Sequence, residues 1–401
     1  MKLAVVYVDI GEARKVYGSA AALSVLGYQT CVVRSIEKDN LSVKPSCMDV
    51  EIGIDLKTKR VPVKTIDVAK EVLGEKGLHV SPKHFLSILR PLDPTVLISD
   101  RHSWFVVKNA AKKLDVPLLL WVPSAYSIFK LFLYLSNRAF SRSLLTPIGF
   151  FYLTYIARHS DYVMTNDILT AKVMQGLWIR HMETVWPTYT RFVNEDAYAE
   201  FLPRTRYVRN GDHRFPNQYV LSLIAIDSKT VVSEAELRSL KFVKSVALAV
   251  PDIDFVVIGT SVEALRNRRD YAKVKNLKLI GLVYDDTHLS ELYRNALCVL
   301  YPYRMPGFSN RLLEAFFYGK AVITTSLTNK YYGDFVPNRD VIFADNPHAA
   351  VEALKKISSY ASYRRQLEDA SRAYYIAHYS PEKHAKAVER SLGYAGFKTQ
   401  G

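Results

Sequence analysis

KLAVVYVDIGEARKVYGSAAALSVLGYQTCVVR, residues 2–34, decides the fold class. Lys2–Val8 is an apolar run of strand type, Asp9–Glu12 a turn, and Arg14–Leu26 carries its apolar residues at helical spacing. Gly27 ends that helix, since glycine enters the left-handed backbone without a Cβ clash. Gln29–Arg34 then forms the next strand. Strand, helix and strand in this order make a parallel unit, and such units bind ligands at the C-terminal ends of their strands.

The alternation repeats along the chain. Thr95–Ser99 (strand), Ser103–Leu114 (helix), Pro117–Val122 (strand) and Tyr162–Thr165 (strand) continue the first series. Residues 187–217 lose periodicity and carry Arg191, Arg204, Arg206, Arg209 and Arg214, which marks an interdomain connection. A second series runs through Tyr219–Ile226 (strand), Ser233–Val250 (helix), Asp254–Ile258 (strand), Leu277–Ile280 (strand), His288–Ala296 (helix), Cys298–Tyr301 (strand) and Val341–Phe343 (strand). Pro347–Tyr360, Tyr363–His378 and Pro381–Leu392 read as closing helices. The organisation expected is α/β: a first domain over residues 1–190, a connection over 191–216, a second domain over 217–380, and a terminal helix in 381–401 that returns to the first domain.

At 401 residues, 49% hydrophobic and 23% charged, the chain can bury large cores, and wholesale disorder is excluded. Its formal charge of +15 calls for an anionic partner: an anionic small substrate, an anionic membrane surface or nucleic acid. The basic residues are scattered, which argues against nucleic acid. Cys31, Cys47 and Cys298 are far apart and read as packing residues of a reducing, cytoplasmic compartment. The N-terminus lacks a signal-peptide pattern.

The residues richest in chemistry are Pro306-Gly-Phe-Ser-Asn-Arg-Leu-Leu-Glu314, running on to Gly319 and the buried strand Ala321–Thr325. They read as a glycine turn and a short helix, whose free N-terminal N–H groups suit a phosphate. Asn310 and Glu314 share one helix face, where a carboxylate can accept hydrogen bonds from a ribose diol. The stretch resembles the nucleotide-sugar site of retaining GT-B glycosyltransferases, the E-x7-E motif, with Pro306 standing where the first glutamate is usual. LGYQTCVVRS, HSDYVMTNDI, PDIDFVVIGTS and NLKLIGLVYDDTHLSELYRNALCVLYPY resemble further blocks of that family in the same order. The resemblance covers most of the chain and implies a GT-B fold, two Rossmann-like parallel-sheet domains facing across a cleft.

What the resemblance implies for function is transfer of a sugar, with retention, from a nucleotide-diphosphate sugar to an acceptor hydroxyl. The donor would be bound by Gly307, Phe308, Ser309, Asn310 and Glu314, together with Gly259 and Val283 from the neighbouring blocks. Ser309 and Asn310 serve equally well as helix caps, and Glu314 as a carboxylate stabilised by the helix dipole alone. The family usually sets an arginine and a lysine in the loop after the first strand of the second domain. Here Ile224–Thr230 keeps only Lys229, so Arg311 is the substitute cation for the departing diphosphate, or else a solvated arginine. On the acceptor side stand Gly11, Asp100 and Asn166, with His102 to orient a hydroxyl or move a proton, or to act as an ordinary hydrogen-bonding loop residue. Ser124 and Tyr126 are weaker candidates.

Asp252-Ile-Asp254 matches a metal signature, but turn chemistry after Pro251 explains it better, and Asp285-Asp286 reads as a helix start. Without a His/Cys/carboxylate cluster at ligand spacing, no metal or other cofactor is expected. Ser127–Arg158 mixes large apolar residues with Lys130, Arg138, Arg142 and Arg158, which suits either a buried helix or one lying in a membrane interface. A lipid-linked glycan is therefore an attractive acceptor, with the chain peripheral to the cytoplasmic membrane face. The rival readings are a catalytically degenerate scaffold of the same fold, a nucleotide-sugar epimerase and a nucleic-acid binder.

Overall fold

The computed structural model describes residues 4–9, 13–36, 46–53, 60–69, 82–100, 103–122, 146–185, 191–192, 218–226, 234–260, 265, 271, 273–281, 283, 286–302, 310–333 and 335–395. They form two compact units. The first takes the described residues up to Phe192 and residues 378–395; the second takes residues 218–377.

The first unit is a nine-stranded sheet. Its strands are β1 (Ala4–Asp9), β2 (Gln29–Ile36), β3 (Ser46–Gly53), β4 (Arg60–Ala69), β5 (Val96–Ser99), β6 (Leu118–Val122), β7 (Tyr162–Thr165), β8 (Met182–Thr184) and β9 (Arg191–Phe192), in the order β8-β7-β6-β5-β1-β2-β4-β3-β9. The central strands pair in parallel and are apolar on both faces, as a sheet covered by helices on both sides requires. Val5 and Tyr7 of β1 enter one core with α1 (Ala13–Val25), and Val6 and Val8 enter the other. That second core is closed by α2 (Pro82–Leu89), α3 (Trp104–Leu114), α4 (Thr146–Arg158) and α5 (Ile168–Gly176).

Strands β3, β4, β8 and β9 and helices α2 and α5 of this unit were not expected from the sequence. β3 and β4 alternate charged and apolar residues, and Pro62 interrupts β4, so neither reads as a buried parallel strand. β3 pairs with β4 antiparallel, and β2 pairs with β4 only from Lys64 onward. Pro62 therefore lies where β4 has a single neighbour and its missing N–H costs no second ladder bond. Arg191 and Phe192, from the stretch read as the connection, pair with Ile52 and Gly53.

The second unit is a six-stranded, all-parallel sheet in the order β12-β11-β10-β13-β14-β15. These strands are β10 (Tyr219–Ile226), β11 (Asp254–Thr260), β12 (Leu277–Gly281), β13 (Ala296–Tyr301), β14 (Val322–Thr324) and β15 (Ile342–Phe343). α6 (Glu234–Ala249) and α10 (Pro347–Ser359) close its main core. α7 (Asp286–Asn295) and α8 (Asn310–Phe317) are joined to the sheet by other contacts; Tyr219 Oη of β10 donates to the Leu292 carbonyl at 2.8 Å. α9 (Asn329–Tyr332) is short and α11 (Ala361–Tyr379) long.

α12 (Pro381–Tyr394) starts on a Ser380 cap with Pro381 in the first turn and packs against α1 of the first unit. His384 Nε2 pairs with Ser19 Oγ at 2.7 Å, Ser19 Oγ with Tyr7 Oη at 2.6 Å, and Tyr28 Oη donates to Glu389 at 2.6 Å. These polar pairs, the first two buried and the third partly so, make the docking specific in register as well as apolar. Among the described residues no helix is long and apolar enough to cross a membrane.

Candidate functional site

The strand orders locate the crevices. In the second sheet β10 lies between β11 and β13, so the connections leave it in opposite directions and part above its C-terminal end. In the first sheet β1 lies likewise between β2 and β5. The backbone is irregular at the second crevice. Ile224 and Ala225 of β10 stand opposite Gly259 alone, whose φ is +93°, and β12 ends on Gly281 at φ +74°. Bulges of this kind re-aim strand ends next to ligands.

The end of β13 and the start of α8 are each tied to their neighbours. Three hydroxyls from separate elements each donate to one of three consecutive carbonyls: Ser222 to Leu300, Thr324 to Tyr301 and Ser239 to Pro302, all at 2.8 Å. At the start of α8, Arg311 Nη1 donates to the Leu223 carbonyl of β10 at 3.2 Å. The far end of α8 closes in a Schellman motif: Lys320 N bonds Ala315 O and Gly319 N bonds Phe316 O, both at 3.0 Å, with Gly319 at φ +60°.

Six of the eight residues of α8 are buried, Glu314 among them at 7% exposure. A buried carboxylate needs donors. Tyr293 Oη, from α7, lies 2.9 Å from Glu314 Oε2 and 3.2 Å from the Arg311 carbonyl. The phenol has one proton, and the carboxylate at the shorter distance is the stronger acceptor. Burial, followed by the charge of Glu314, holds the Tyr293 phenol well above its usual range, so it remains a donor at physiological pH. The ring stacks on Tyr318 with centroids 4.9 Å apart, and Tyr318 Oη is fixed by Ser290 Oγ at 2.6 Å. The carboxamide oxygen of Asn310, one turn before Glu314, is buried without a partner.

The residues expected from the sequence are distributed as follows. Asn310, Arg311 and Glu314 come together on α8, and Gly259 and Val283 lie at or just beyond the C-terminal ends of β11 and β12 of the same sheet. Asp100 follows β5, where its Oδ1 accepts from both the N–H and the Oγ of Ser103 at 2.9 Å and so shapes the entry to α3. Asn166 follows β7, fully buried: its Oδ1 accepts from Trp121 Nε1 at 2.7 Å, and its Nδ2 has no partner. Gly11, His102, Ser124, Tyr126, Lys229, Pro306, Gly307, Phe308 and Ser309 lie outside the described residues, as do residues 127–145 of the aromatic region. Asp252 is exposed in the turn before β11, whose first residue is Asp254. Tyr293 was not singled out from the sequence; an aromatic residue near a helix end carries no local sign that a carboxylate will face it.

Residues 237–359, from α6 to the end of α10, match the family described as Glycosyl transferases group 1. No curated protein matches the chain in sequence. Solved structures resemble it over nearly its whole length. The sucrose-phosphate synthase of Thermosynechococcus elongatus is 13% identical, with 98% of this chain and 100% of that one covered at a TM-score of 0.66. A trehalose-6-phosphate protein from E. coli bound with UDP-2-fluoro glucose is 9% identical, with 99% and 100% covered at 0.61. Anabaena Alr3699/HepE in complex with UDP and glucose is 10% identical, with 97% and 99% covered at 0.57. At such identities the likeness establishes the fold: two Rossmann-like parallel-sheet units of the GT-B glycosyltransferase type.

Proposed function

We propose that the chain transfers a sugar from a nucleotide-diphosphate sugar to an acceptor hydroxyl, with retention at the anomeric carbon. The observation that carries this reading is the family match over residues 237–359, which spans the buried Glu314. Neighbours of the same fold that hold UDP and glucose, or a fluorinated UDP-glucose, support a uridine-type donor.

In this reading Glu314 accepts hydrogen bonds from the ribose diol while Tyr293 steadies it. The amides of Gly307–Ser309 and the carboxamide of Asn310 bind the diphosphate and donor sugar, with Gly259 and Val283 at the crevice wall. The bond from the anomeric carbon to phosphate breaks as one to the acceptor oxygen forms. The leaving diphosphate is stabilised by the cations Arg311 and Lys229, and its oxygen takes up the proton of the acceptor hydroxyl. Gly11, Asp100, His102 and Asn166 serve the acceptor, for which a lipid-linked glycan fits the basic character of the first unit.

Incubating the protein with a panel of nucleotide sugars, with and without glycan acceptors, tests the proposal. Release of nucleoside diphosphate is expected. Conversion of the sugar without release would replace transfer by epimerisation, and binding without turnover would make the chain a scaffold. Absence of any thermal shift with every donor would overturn the reading.

A further inference from the structure

We propose that the outer face of the first unit formed by α3, α4 and the end of α5 docks on an anionic lipid surface. The proposal is independent of the glycosyl-transfer reading. It rests on three observations at one place.

The first is apolar exposure. Phe105 on α3 and Phe151 and Tyr155 on α4 are 51%, 70% and 47% exposed. They form a continuous surface: the Phe105 ring lies 5.7 Å from Tyr152 and 6.4 Å from Tyr155. Both stripes pass from aromatic to basic along the helix, Phe105–Lys108–Lys112 on α3 and Phe151–Tyr155–Arg158 on α4.

The second is charge. Helices α2, α3, α4 and α5 hold Lys83, Lys108, Lys112, Lys113, Arg158 and Lys172, and no aspartate or glutamate. α1 and α12, on the opposite face of the same sheet, are less one-sided, with Arg14, Lys15, Lys383, Lys386 and Arg390 against Glu382 and Glu389 of α12. A protein partner would disfavour lysine at the centre of its contact, whereas amphipathic rings beside cations suit the headgroup layer of an anionic membrane.

The third is backbone strain. α5 ends in a Schellman motif, with Trp178 N bonded to Gln175 O at 2.9 Å and Ile179 N to Met174 O at 3.2 Å. The left-handed position that glycine favours is held here by Trp178, at φ +65°. Its indole is 73% exposed, beside Arg180. Arg158 Nη2 donates to the Leu177 carbonyl at 2.9 Å, which ties this end of α5 to the basic end of the α4 stripe. A strained backbone that turns a large ring into water gains nothing for the fold, but it equips a surface that meets an interface.

Vesicle flotation tests the assignment. The full chain should float with phosphatidylcholine vesicles containing about 30% phosphatidylglycerol, remain unbound to phosphatidylcholine alone, and be released by salt. Trp178→Gly, and separately the combined Phe105→Ser, Phe151→Ser and Tyr155→Ser variant, should each lower partitioning about tenfold, while circular dichroism shows an intact fold. Trp178→Gly relieves strain, so its loss of binding cannot be ascribed to unfolding. Failure of the unaltered chain to float, or full binding by both variants, would overturn the proposal. So would a dimer that these variants dissociate without any vesicle binding, since a second copy would then cover the face.

Discussion

Helices α8 and α5 end on the same hydrogen-bond pattern at nearly the same backbone angle, yet one uses Gly319 and the other Trp178. At Gly319, φ +60° favours glycine, and an added Cβ would reach van der Waals contact with the Cβ of Arg372 at 3.4 Å. At Trp178 the ring stands in solvent and the backbone disfavours it. The helices differ in the same sense. α8 turns Leu312, Leu313, Phe316 and Phe317 inward around a carboxylate, whereas α4, which meets the end of α5, leaves Phe151 and Tyr155 outside. Stability accounts for the first arrangement and leaves the second to binding.

Five substitutions sharpen this contrast. Glu314→Ala should have the largest effect, weakening nucleotide-sugar binding by roughly 10²–10³-fold in calorimetry, because two charge-assisted hydrogen bonds to the ligand are lost. Glu314→Gln, which can still meet Tyr293, should retain more of the fold than the alanine variant, as measured by the thermal midpoint. Unchanged donor affinity in both would remove Glu314 from the site. Tyr293→Phe takes a donor from the buried carboxylate and should cost about 1–3 kcal/mol in urea unfolding, with weaker donor binding as well. Loss of stability alone would make Tyr293 structural only.

Gly319→Ala forces a Cβ into left-handed backbone beside Arg372 and should destabilise by about 1 kcal/mol. Trp178→Gly should do the reverse, stabilising by roughly 0.5–1 kcal/mol while vesicle binding falls. Opposite signs at two positions of one geometry would show that the tryptophan is kept for something other than folding. Equal signs would end the comparison.

Much of the second unit could be read in advance because its signals are local. The helix stop at Gly319 and the apolar strands around it depend on neighbours within a few residues. In the first unit, β3 and β4 escaped because their pattern looks polar until an antiparallel partner and an edge position are supplied. The charge of the aromatic region was evident, but which rings face water was not. That depends on how α3 and α4 lie on the sheet, and part of the region, residues 127–145, lies outside the described residues.

Alternating strands and helices, glycine stops and the four-residue spacing of Asn310 and Glu314 were available from covalent order, since backbone sterics and helical period act over short range. Long-range packing had to assign Tyr293 to Glu314, Arg311 to the Leu223 carbonyl and Trp178 to the solvent. Each of these depends on which elements lie side by side, and that choice is made by burying whole faces at once rather than by any single stretch of chain.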